Sequence, residues 1–159
     1  MNKLYLDQRN FQGLVLDICR QIERSNWQPE KIIGIGRGGL TAAVMISHWF
    51  NLPMVSMDVS LRDHENTESK MWLAEDAANG KNILIVDDIN DSGATFAWIK
   101  QDWESATRRA IDWHGAVRFA SVVFNEASTE PSDFTGLTIN KAQEDVWMVF
   151  PWENWWNTP

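Results

Sequence analysis

The stretch from Ile83 to Thr95 limits what this chain can fold into more than any other part of its sequence. Its first four residues are branched and apolar, which is typical of a strand that is buried on both faces. Two acids, Asp87 and Asp88, follow at the carboxyl end of that strand, and a turn over 91–95 leads into a helical run that starts at Phe96. A buried strand that passes through a tight turn into a helix indicates an α/β fold.

The turn after this strand predicts an anion-binding site, because successive backbone N–H groups and a helix N-terminus would point at one spot. The carboxylates beside it suit sugar hydroxyls or Mg²⁺, which prefers one or two carboxylates together with substrate phosphate oxygens. An ordinary strand-to-helix turn with an N-cap would explain Ser92 and Gly93, but not three acids within residues 87–91. The pattern therefore favours a ligand with a phosphate, a diol and a metal ion.

The residues from Ile83 to Thr95 resemble the phosphoribosyl pyrophosphate (PRPP) motif of the type I phosphoribosyltransferases. That motif is a hydrophobic strand, two acids, a spacer, an acid and a Thr/Ser-Gly-x-Thr loop, and every part of it is present. The resemblance implies that the turn holds the 5-phosphate and that Asp87 and Asp88 fix the ribose hydroxyls. It also places Asp91 near the attacking heterocycle, as the candidate catalytic residue that takes or steers a proton.

A second glycine turn follows the predicted strand over 32–35 and precedes an apolar helical run over 40–50. Glycine lets a backbone approach a ligand, and the fork of Arg37 suits phosphate oxygens, although a tight turn with a solvated arginine would have the same sequence. The Arg-Gly-Gly-Leu segment is similar to the pyrophosphate-binding loop of the xanthine-guanine branch, which implies that Gly36–Arg37 is a candidate non-proline cis peptide. The PRPP-binding residues implied by the resemblance are Gly36, Arg37, Gly38, Gly39, Asp87, Asp88, Asp91, Ser92, Gly93, Ala94 and Thr95.

The apolar segment over 147–153 is either an edge segment closed by a proline or a binding wall, because an indole face suits stacking on a flat heterocycle. It resembles the Trp-x-x-x-Pro-Trp-acid stretch of the xanthine-guanine enzymes. The resemblance implies that Trp147 stacks on the base with Met148 beside it. It further implies that Glu153 lies near a metal, so that Asp88 and Glu153 are the candidate ligands and Mg²⁺ the expected cofactor.

One departure from the family concerns recognition of the base. The purine enzymes have a lysine just after the strand that precedes the base-binding hood, where it hydrogen-bonds the 6-oxygen. Here that strand ends in Phe124-Asn125-Glu126, and the next lysine is Lys141. Asn125 could donate one neutral hydrogen bond to the base, whereas Glu126 would accept one and would suit an exocyclic amine. Both are candidate base-binding residues, and a 6-oxopurine is favoured over adenine.

The rest of the chain predicts one domain over 1–159 with alternating helices and strands, that is, an α/β fold with a central, mainly parallel sheet flanked by helices and a small hood. The resemblance implies a flexible lid over about 61–80 and a hood over about 126–159. The apolar patterns predict helices over 7–25, 40–50 and 96–113, the last ended by Gly115, and strands over 32–35, 54–59, 83–86, 117–124 and 137–139.

The acidic balance limits the possible partners. The net charge is −8 and no basic cluster is denser than Arg108-Arg109, so that we expect no nucleic-acid partner. The amino terminus lacks the apolar core of a signal peptide, and no apolar run approaches membrane-spanning length. The single Cys19, expected in the core, fits a reducing compartment. We therefore expect a cytoplasmic protein without a membrane partner, and a homo-oligomer, either a dimer or a tetramer.

Together these features predict a transferase. Pyrophosphate would leave C1 of PRPP, the ribose would develop oxocarbenium character, and a purine nitrogen would attack, with Mg²⁺ neutralising charge on the pyrophosphate. The expected base is guanine, xanthine or hypoxanthine. The alternatives are a PRPP-binding regulator without transferase activity and a transferase for another heterocycle. Asp91 and Trp147 favour an enzyme, because a sensor of PRPP needs neither.

Overall fold

Strands and helices alternate along most of the chain in the computed structural model, which describes residues 1–59 and 71–157. A helix or loop connects each pair of successive parallel strands, as expected for an α/β fold. The elements in chain order are β1 (Asn2–Tyr5), α1 (Gln8–Arg24), β2 (Lys31–Gly36), α2 (Leu40–Phe50), β3 (Met54–Asp58), α3 (Met71–Ala78), β4 (Ile83–Asn90), α4 (Ala94–Thr107), β5 (Val117–Asn125), β6 (Phe134–Ile139), β7 (Val146–Val149) and a 3₁₀ turn (Trp155–Asn157).

The main sheet has five parallel strands in the order β3-β2-β4-β5-β6, with β4 in the middle. Leu84 and Val86 of β4 pack with side chains of α1 and α2 on one face of the sheet. Ile83 and Ile85 pack with side chains of α3 and α4 on the other. This alternation buries both faces of β4, which explains its continuous apolar sequence. The predicted fold class is confirmed.

A second, two-stranded sheet is formed by β1 and β7, which pair in parallel. It holds Trp147 opposite Lys3 and Met148 opposite Leu4. The sequence did not predict β1, since all four of its residues are exposed and carry no apolar alternation. The predicted hood over 126–159 includes β6, which is an edge strand of the main sheet.

Two predicted boundaries differ from the structure. Helix α4 ends at Thr107 rather than at 113, because Arg108 adopts a left-handed conformation (φ +54°) and its N–H donates to Glu104 O. Gly115 therefore does not end the helix. The predicted lid overlaps α3, whose Leu73, Ala74 and Ala77 are buried, so that the part of it over 71–78 is packed into the core. Residues 61–70 of the predicted lid lie outside the described residues.

Helix α1 covers one face of the sheet with its apolar stripe, much as predicted. Asp7 caps its start, with Oδ1 accepting from Asn10 N at 2.6 Å. Cys19 lies in this buried stripe, and burial raises the pKa of its thiol to about 11, so that its expected place in the core is confirmed. Over the described ranges, none of the helices has both the length and the apolar character that a bilayer crossing requires.

Candidate active site

The turn from Asp91 to Thr95 connects β4 to α4 and lines a cavity of about 260 Å³ formed by residues 87–96. Gly93 precedes the helix with φ +92°, which favours glycine. Ala94 N donates to Ser92 Oγ at 3.2 Å, but the N–H groups of Gly93, Thr95 and Phe96 have no acceptor within the described part of the chain. Free amides at the positive end of a 14-residue helix are suited to bind an anion.

Asp87 and Asp88 stand together where β4 reaches this turn. The pKa of Asp87 lies well above its usual value, mainly because the carboxyl is buried. The charge of Asp88 and a side-chain hydrogen bond with Asp88 raise it further. Burial raises the pKa of Asp88 as well, and the charge of Glu153 adds to the effect. Neither Asp87 nor Asp88 forms a salt bridge to a cation in residues 1–59 and 71–157. Among the residues that the structure describes, the pair therefore has no positive partner.

This acidic site fits Mg²⁺. The two predicted ligands, Asp88 and Glu153, line one cavity, and the charge of Glu153 raises the pKa of Asp88. In the described ranges no group of three or more acids, histidines or cysteines forms a cage for a metal ion. Mg²⁺ does not need one, because it commonly binds through one or two carboxylates and completes its shell with waters and substrate phosphates. Asp88 and Glu153 are the residues that would hold it.

The glycine loop over 36–39 lies against the same strand ends. The Gly36–Arg37 peptide is cis, as the sequence suggested, and the Arg37 side chain is exposed. A Cβ at Gly38 would overlap the carboxylate of Asp88, which lies directly beside the loop. A Cβ at Gly39 would lie 2.5 Å from Val86 O. The loop therefore reaches the acid pair only because it carries glycine at these positions.

Replacing Gly39 by Ala should lower the free energy of unfolding by about 1–3 kcal/mol, because the atoms that the new methyl group would meet are backbone atoms of Val86, Asp87 and Ile35. The matched control is Gly13→Ala on α1, where a Cβ meets nothing within 4 Å. That change should stabilise the helix by about 0.5–1 kcal/mol. Urea denaturation of both variants measures the difference, and equal effects would contradict the close approach at Gly39.

A second cavity, of about 190 Å³, adjoins the first and shares Asp88, Ile89 and Asp91 with it. Its other lining residues are Lys141, Trp147, Met148, Phe150 and Glu153. Trp147 is half-exposed, whereas Met148 is buried in the core below it. The structure thus places Asp91, Trp147, Met148 and Glu153, four of the predicted site residues, around one cavity.

Lys141 is the residue at this site that the sequence reasoning missed. Its Nζ lies 2.9 Å from Asp91 Oδ2 and 5.5 Å from the centre of the Trp147 ring. Lys141 lies in the loop between β6 and β7, and the backbone N–H of Lys141 donates to Asn125 Oδ1 at 3.0 Å. The available signal was a single basic residue six positions before Trp147. Because Lys141 is far in sequence from the motif over 83–95, its contact with Asp91 depends on the three-dimensional fold.

The structure gives Asn125 a different role from the predicted contact with the base. Its Nδ2 donates to Asp91 O at 3.0 Å and Asp91 Oδ1 at 3.2 Å, and its Oδ1 accepts from Ala127 N and Lys141 N. Because both ends of the amide are used within the protein, Asn125 positions Asp91 and Lys141 instead. Glu126 is not brought to the cavity either, since its carboxylate is exposed and accepts from Asn140 Nδ2.

The Phosphoribosyl transferase domain model matches residues 1–154 of this chain. The chain belongs to the phosphoribosyltransferase family. A xanthine-guanine phosphoribosyltransferase of Idiomarina loihiensis is 28% identical over 130 residues, which are 79% of this chain and 72% of the relative. A protein of the same description from Cereibacter sphaeroides is 30% identical over 128 residues, covering 77% of this chain and 68% of the relative.

Solved structures show the same fold as this phosphoribosyltransferase. A purine phosphoribosyltransferase from Pyrococcus horikoshii superposes with a TM-score of 0.72 at 22% identity, covering 97% of this chain and 96% of that one. A xanthine-guanine-hypoxanthine phosphoribosyltransferase from Helicobacter pylori gives 0.71 at 21% identity, covering 96% and 93%. The family and the branch that the sequence motifs indicated are therefore confirmed.

Proposed function

We propose that this phosphoribosyltransferase moves the 5-phosphoribosyl group of PRPP onto a purine base and releases pyrophosphate, with Mg²⁺ as cofactor. One observation carries the proposal. The turn at 91–95 and the glycine loop at 36–39 lie at one edge of the sheet, on either side of Asp87 and Asp88. Two anion-binding backbones separated by two carboxylates match a sugar with a phosphate at one end and a pyrophosphate at the other.

Each part of the site has a role in this reaction. The free N–H groups of the turn would bind the 5-phosphate, and the loop with Arg37 would bind the pyrophosphate. Asp87 and Asp88 would accept hydrogen bonds from the ribose hydroxyls. When bound, Mg²⁺ would neutralise charge on the leaving pyrophosphate.

The bond between C1 and pyrophosphate breaks as the bond between C1 and the base nitrogen forms. The proton of that nitrogen passes to the Asp91 carboxylate, which faces the cavity lined by Trp147. The protein thus contributes mainly position and charge, with no covalent bond to the substrate.

Lys141 supports a 6-oxopurine as the base. An ammonium group has three N–H donors and no acceptor, and one donor of Lys141 is used by Asp91. Its Nζ lies over the Trp147 ring, 5.5 Å from the ring centre, so that the other donors would be near a heterocycle that contacts this indole. They would bind a carbonyl oxygen but not an exocyclic amine. Lys141 would then supply, from a different loop, the cation that is absent at position 125. We therefore propose guanine, xanthine or hypoxanthine as the base.

Replacing Lys141 by Met should raise the KM for the accepted oxopurine about 10- to 100-fold, since a hydrogen bond to a charged group contributes roughly 1.5–3 kcal/mol. The KM for PRPP should change much less. The matched control is Lys31→Met, because Lys31 also pairs with an aspartate, Asp76, and lies over a tryptophan ring, that of Trp72, away from the cavity. Equal KM values for the base in both variants would contradict the role of Lys141.

The function itself is tested by pyrophosphate release from PRPP with guanine, xanthine, hypoxanthine and adenine offered separately, with and without Mg²⁺. We expect release with at least one oxopurine and only when Mg²⁺ is present. Release with adenine alone would overturn the proposed base. PRPP binding without release from any base would favour a regulatory protein or a different acceptor.

We also propose that the protein is a homo-oligomer and acts in the cytoplasm. The exposed tryptophans Trp155 and Trp156 near the end of the chain, and the exposed Tyr5 of β1, support the first part, because large exposed apolar side chains often mark contacts between subunits. Light scattering of the purified protein would decide between a monomer and a dimer or tetramer.

A further inference from the structure

A loop on the far side of the phosphate-binding turn is tied to it by several hydrogen bonds. This loop, residues 128–133, which we call the support loop, connects β5 to β6. It is joined at its other side to Lys100 and His114, which do not line the cavity. We propose that Lys100 and His114 are positioning residues for the phosphate-binding turn, acting through the support loop. The inference rests on the proposed function in that the turn is taken to bind the 5-phosphate of PRPP.

The contacts between the support loop and the turn are direct. Thr129 donates to Ser92 O through its N–H at 3.1 Å and through its hydroxyl at 3.0 Å. A Cβ at Gly93 would lie 2.8 Å from Glu130 N, Ser128 Oγ and Thr129 Oγ1, so that the loop packs against the turn at its glycine. The position of the support loop therefore determines where the carbonyl of Ser92 and the N–H of Gly93 lie.

Asn90, the last residue of β4, joins the same two segments from inside. It is buried, and its Oδ1 accepts from Ser128 Oγ at 2.7 Å. Its Nδ2 donates to Glu130 O at 2.8 Å and to Ser132 Oγ at 3.0 Å. A buried amide that uses both ends in this way fixes the start of the turn and the support loop relative to each other.

Two carboxylates of the support loop are held by a chain of charged groups. Lys100 Nζ on α4 lies 2.7 Å from Glu130 Oε2 and 2.9 Å from His114 Nε2. His114 Nδ1 lies 2.9 Å from Asp133 Oδ2, which also accepts from Phe119 N of β5 at 2.7 Å. The four side chains are 16–27% exposed, so that solvent screens these pairs less than a surface ion pair.

The direction of the hydrogen bonds follows from the donors. An ammonium group only donates, so that His114 Nε2 accepts from Lys100 and the proton on Nδ1 is directed at Asp133. Lys100 belongs to α4, the helix whose first turn forms the anion site. The chain of contacts thus runs from α4 through the support loop and back to the turn in front of α4. Removing the ammonium group of Lys100 breaks this chain of contacts without removing any atom that would touch the substrate.

We expect PRPP affinity to fall, because even a small displacement of the N–H groups that bind the phosphate weakens their contacts. We expect recognition of the base to change little, because the cavity lined by Trp147 lies on the other side of Asp91. In Lys100→Met we expect the Kd for PRPP with Mg²⁺ to rise about 10- to 100-fold. The KM for the base should stay within about threefold. Lys100→Arg, which can still reach Glu130, should recover most of the affinity.

The control is Lys31→Met, which removes a partly buried ion pair of similar length and exposure, Lys31–Asp76 at 3.1 Å, on the amino-terminal side of β2. A second variant, His114→Asn, keeps a residue that tolerates the positive φ of that position but cannot bridge Lys100 and Asp133. Amide hydrogen exchange at Thr129, the N–H that donates to Ser92, provides a readout that does not depend on PRPP.

Exchange at Thr129 should be at least about tenfold faster in Lys100→Met and His114→Asn than in Lys31→Met. If the three variants share the same exchange rate at Thr129, the positioning role is wrong, whatever the protein binds. If Thr129 exchanges faster in the first two variants while the wild-type protein shows no affinity for PRPP, the support-loop contact is real and the proposed function is wrong. Equal losses of PRPP affinity in all three variants would show a general effect on stability and overturn the inference.

Discussion

Replacing Asp91 by Asn should lower kcat for nucleotide formation by about 10²- to 10⁴-fold, the usual contribution of a positioned general base. The amide has nearly the size of the carboxylate, and Asn125 can still donate to the backbone carbonyl of residue 91, so that the turn should keep its shape. The Kd for PRPP should therefore stay within about threefold. Steady-state kinetics with saturating PRPP and calorimetric titration of PRPP measure the two quantities.

The Asp91→Asn change also breaks the ion pair with Lys141, and this effect has to be separated from the loss of the base. Lys141→Met breaks the same pair but keeps the carboxylate. The further decrease of kcat in Asp91→Asn relative to Lys141→Met then reports proton transfer. A kcat within about threefold of the wild-type value in Asp91→Asn would show that the carboxylate is not the base.

Replacing Asp87 by Asn should stabilise the unliganded protein at pH 7 while impairing its function. Burial and the charge of Asp88 raise the pKa of Asp87 in the folded protein above its value of about 3.9 in an unfolded chain. The folded state therefore binds this proton more tightly than the unfolded state does. The stability that results is fully present below the pKa of Asp87 in the unfolded chain. It is lost as the pH rises through the pKa of Asp87 in the folded protein. A neutral amide at residue 87 removes this cost of ionisation.

We expect the free energy of unfolding of Asp87→Asn at pH 7, without Mg²⁺, to exceed that of the wild type by about 0.5–2 kcal/mol. The difference should shrink as the pH is lowered toward 4. The Kd for PRPP should rise about tenfold, because the ribose hydroxyl would donate to a neutral amide oxygen in place of a carboxylate. The control is Asp17→Asn on the exposed side of α1, which should change neither value. A variant less stable than the wild type at pH 7 would contradict this account of the acid pair.

The parts of the fold that the sequence predicts well are those determined by neighbours in the chain. The run Ile83–Val86 is buried on both faces, and the turn after it needs small residues whatever the rest of the protein does. Helix α2 was predicted over its observed range because its apolar composition and the glycine turn before it act locally. Strand β1 was not, because it pairs with β7, about 140 residues away, and none of its side chains is buried.

In the candidate site, too, the parts that depend on neighbours in the chain were predicted and the parts that depend on distant residues were not. The acid pair, the turn and the glycine loop are two contiguous segments, and the structure brings them together as parallel strand order requires. The residue that would contact the proposed base could not be derived in that way. Asn125 has the expected place in sequence, but its amide forms hydrogen bonds with Asp91 and Lys141 of the protein itself. Lys141 lies in a loop whose path depends on the pairing of β7 with β1.

The most direct test of the proposed activity is the identity of the product. The wild-type protein is mixed with PRPP, Mg²⁺ and guanine, xanthine or hypoxanthine, and the nucleotide is separated by chromatography and quantified together with pyrophosphate. We predict that a nucleoside 5′-monophosphate and pyrophosphate appear in equal amounts with at least one of these bases. Tight binding of PRPP with no nucleotide from any of the three would contradict the proposed function.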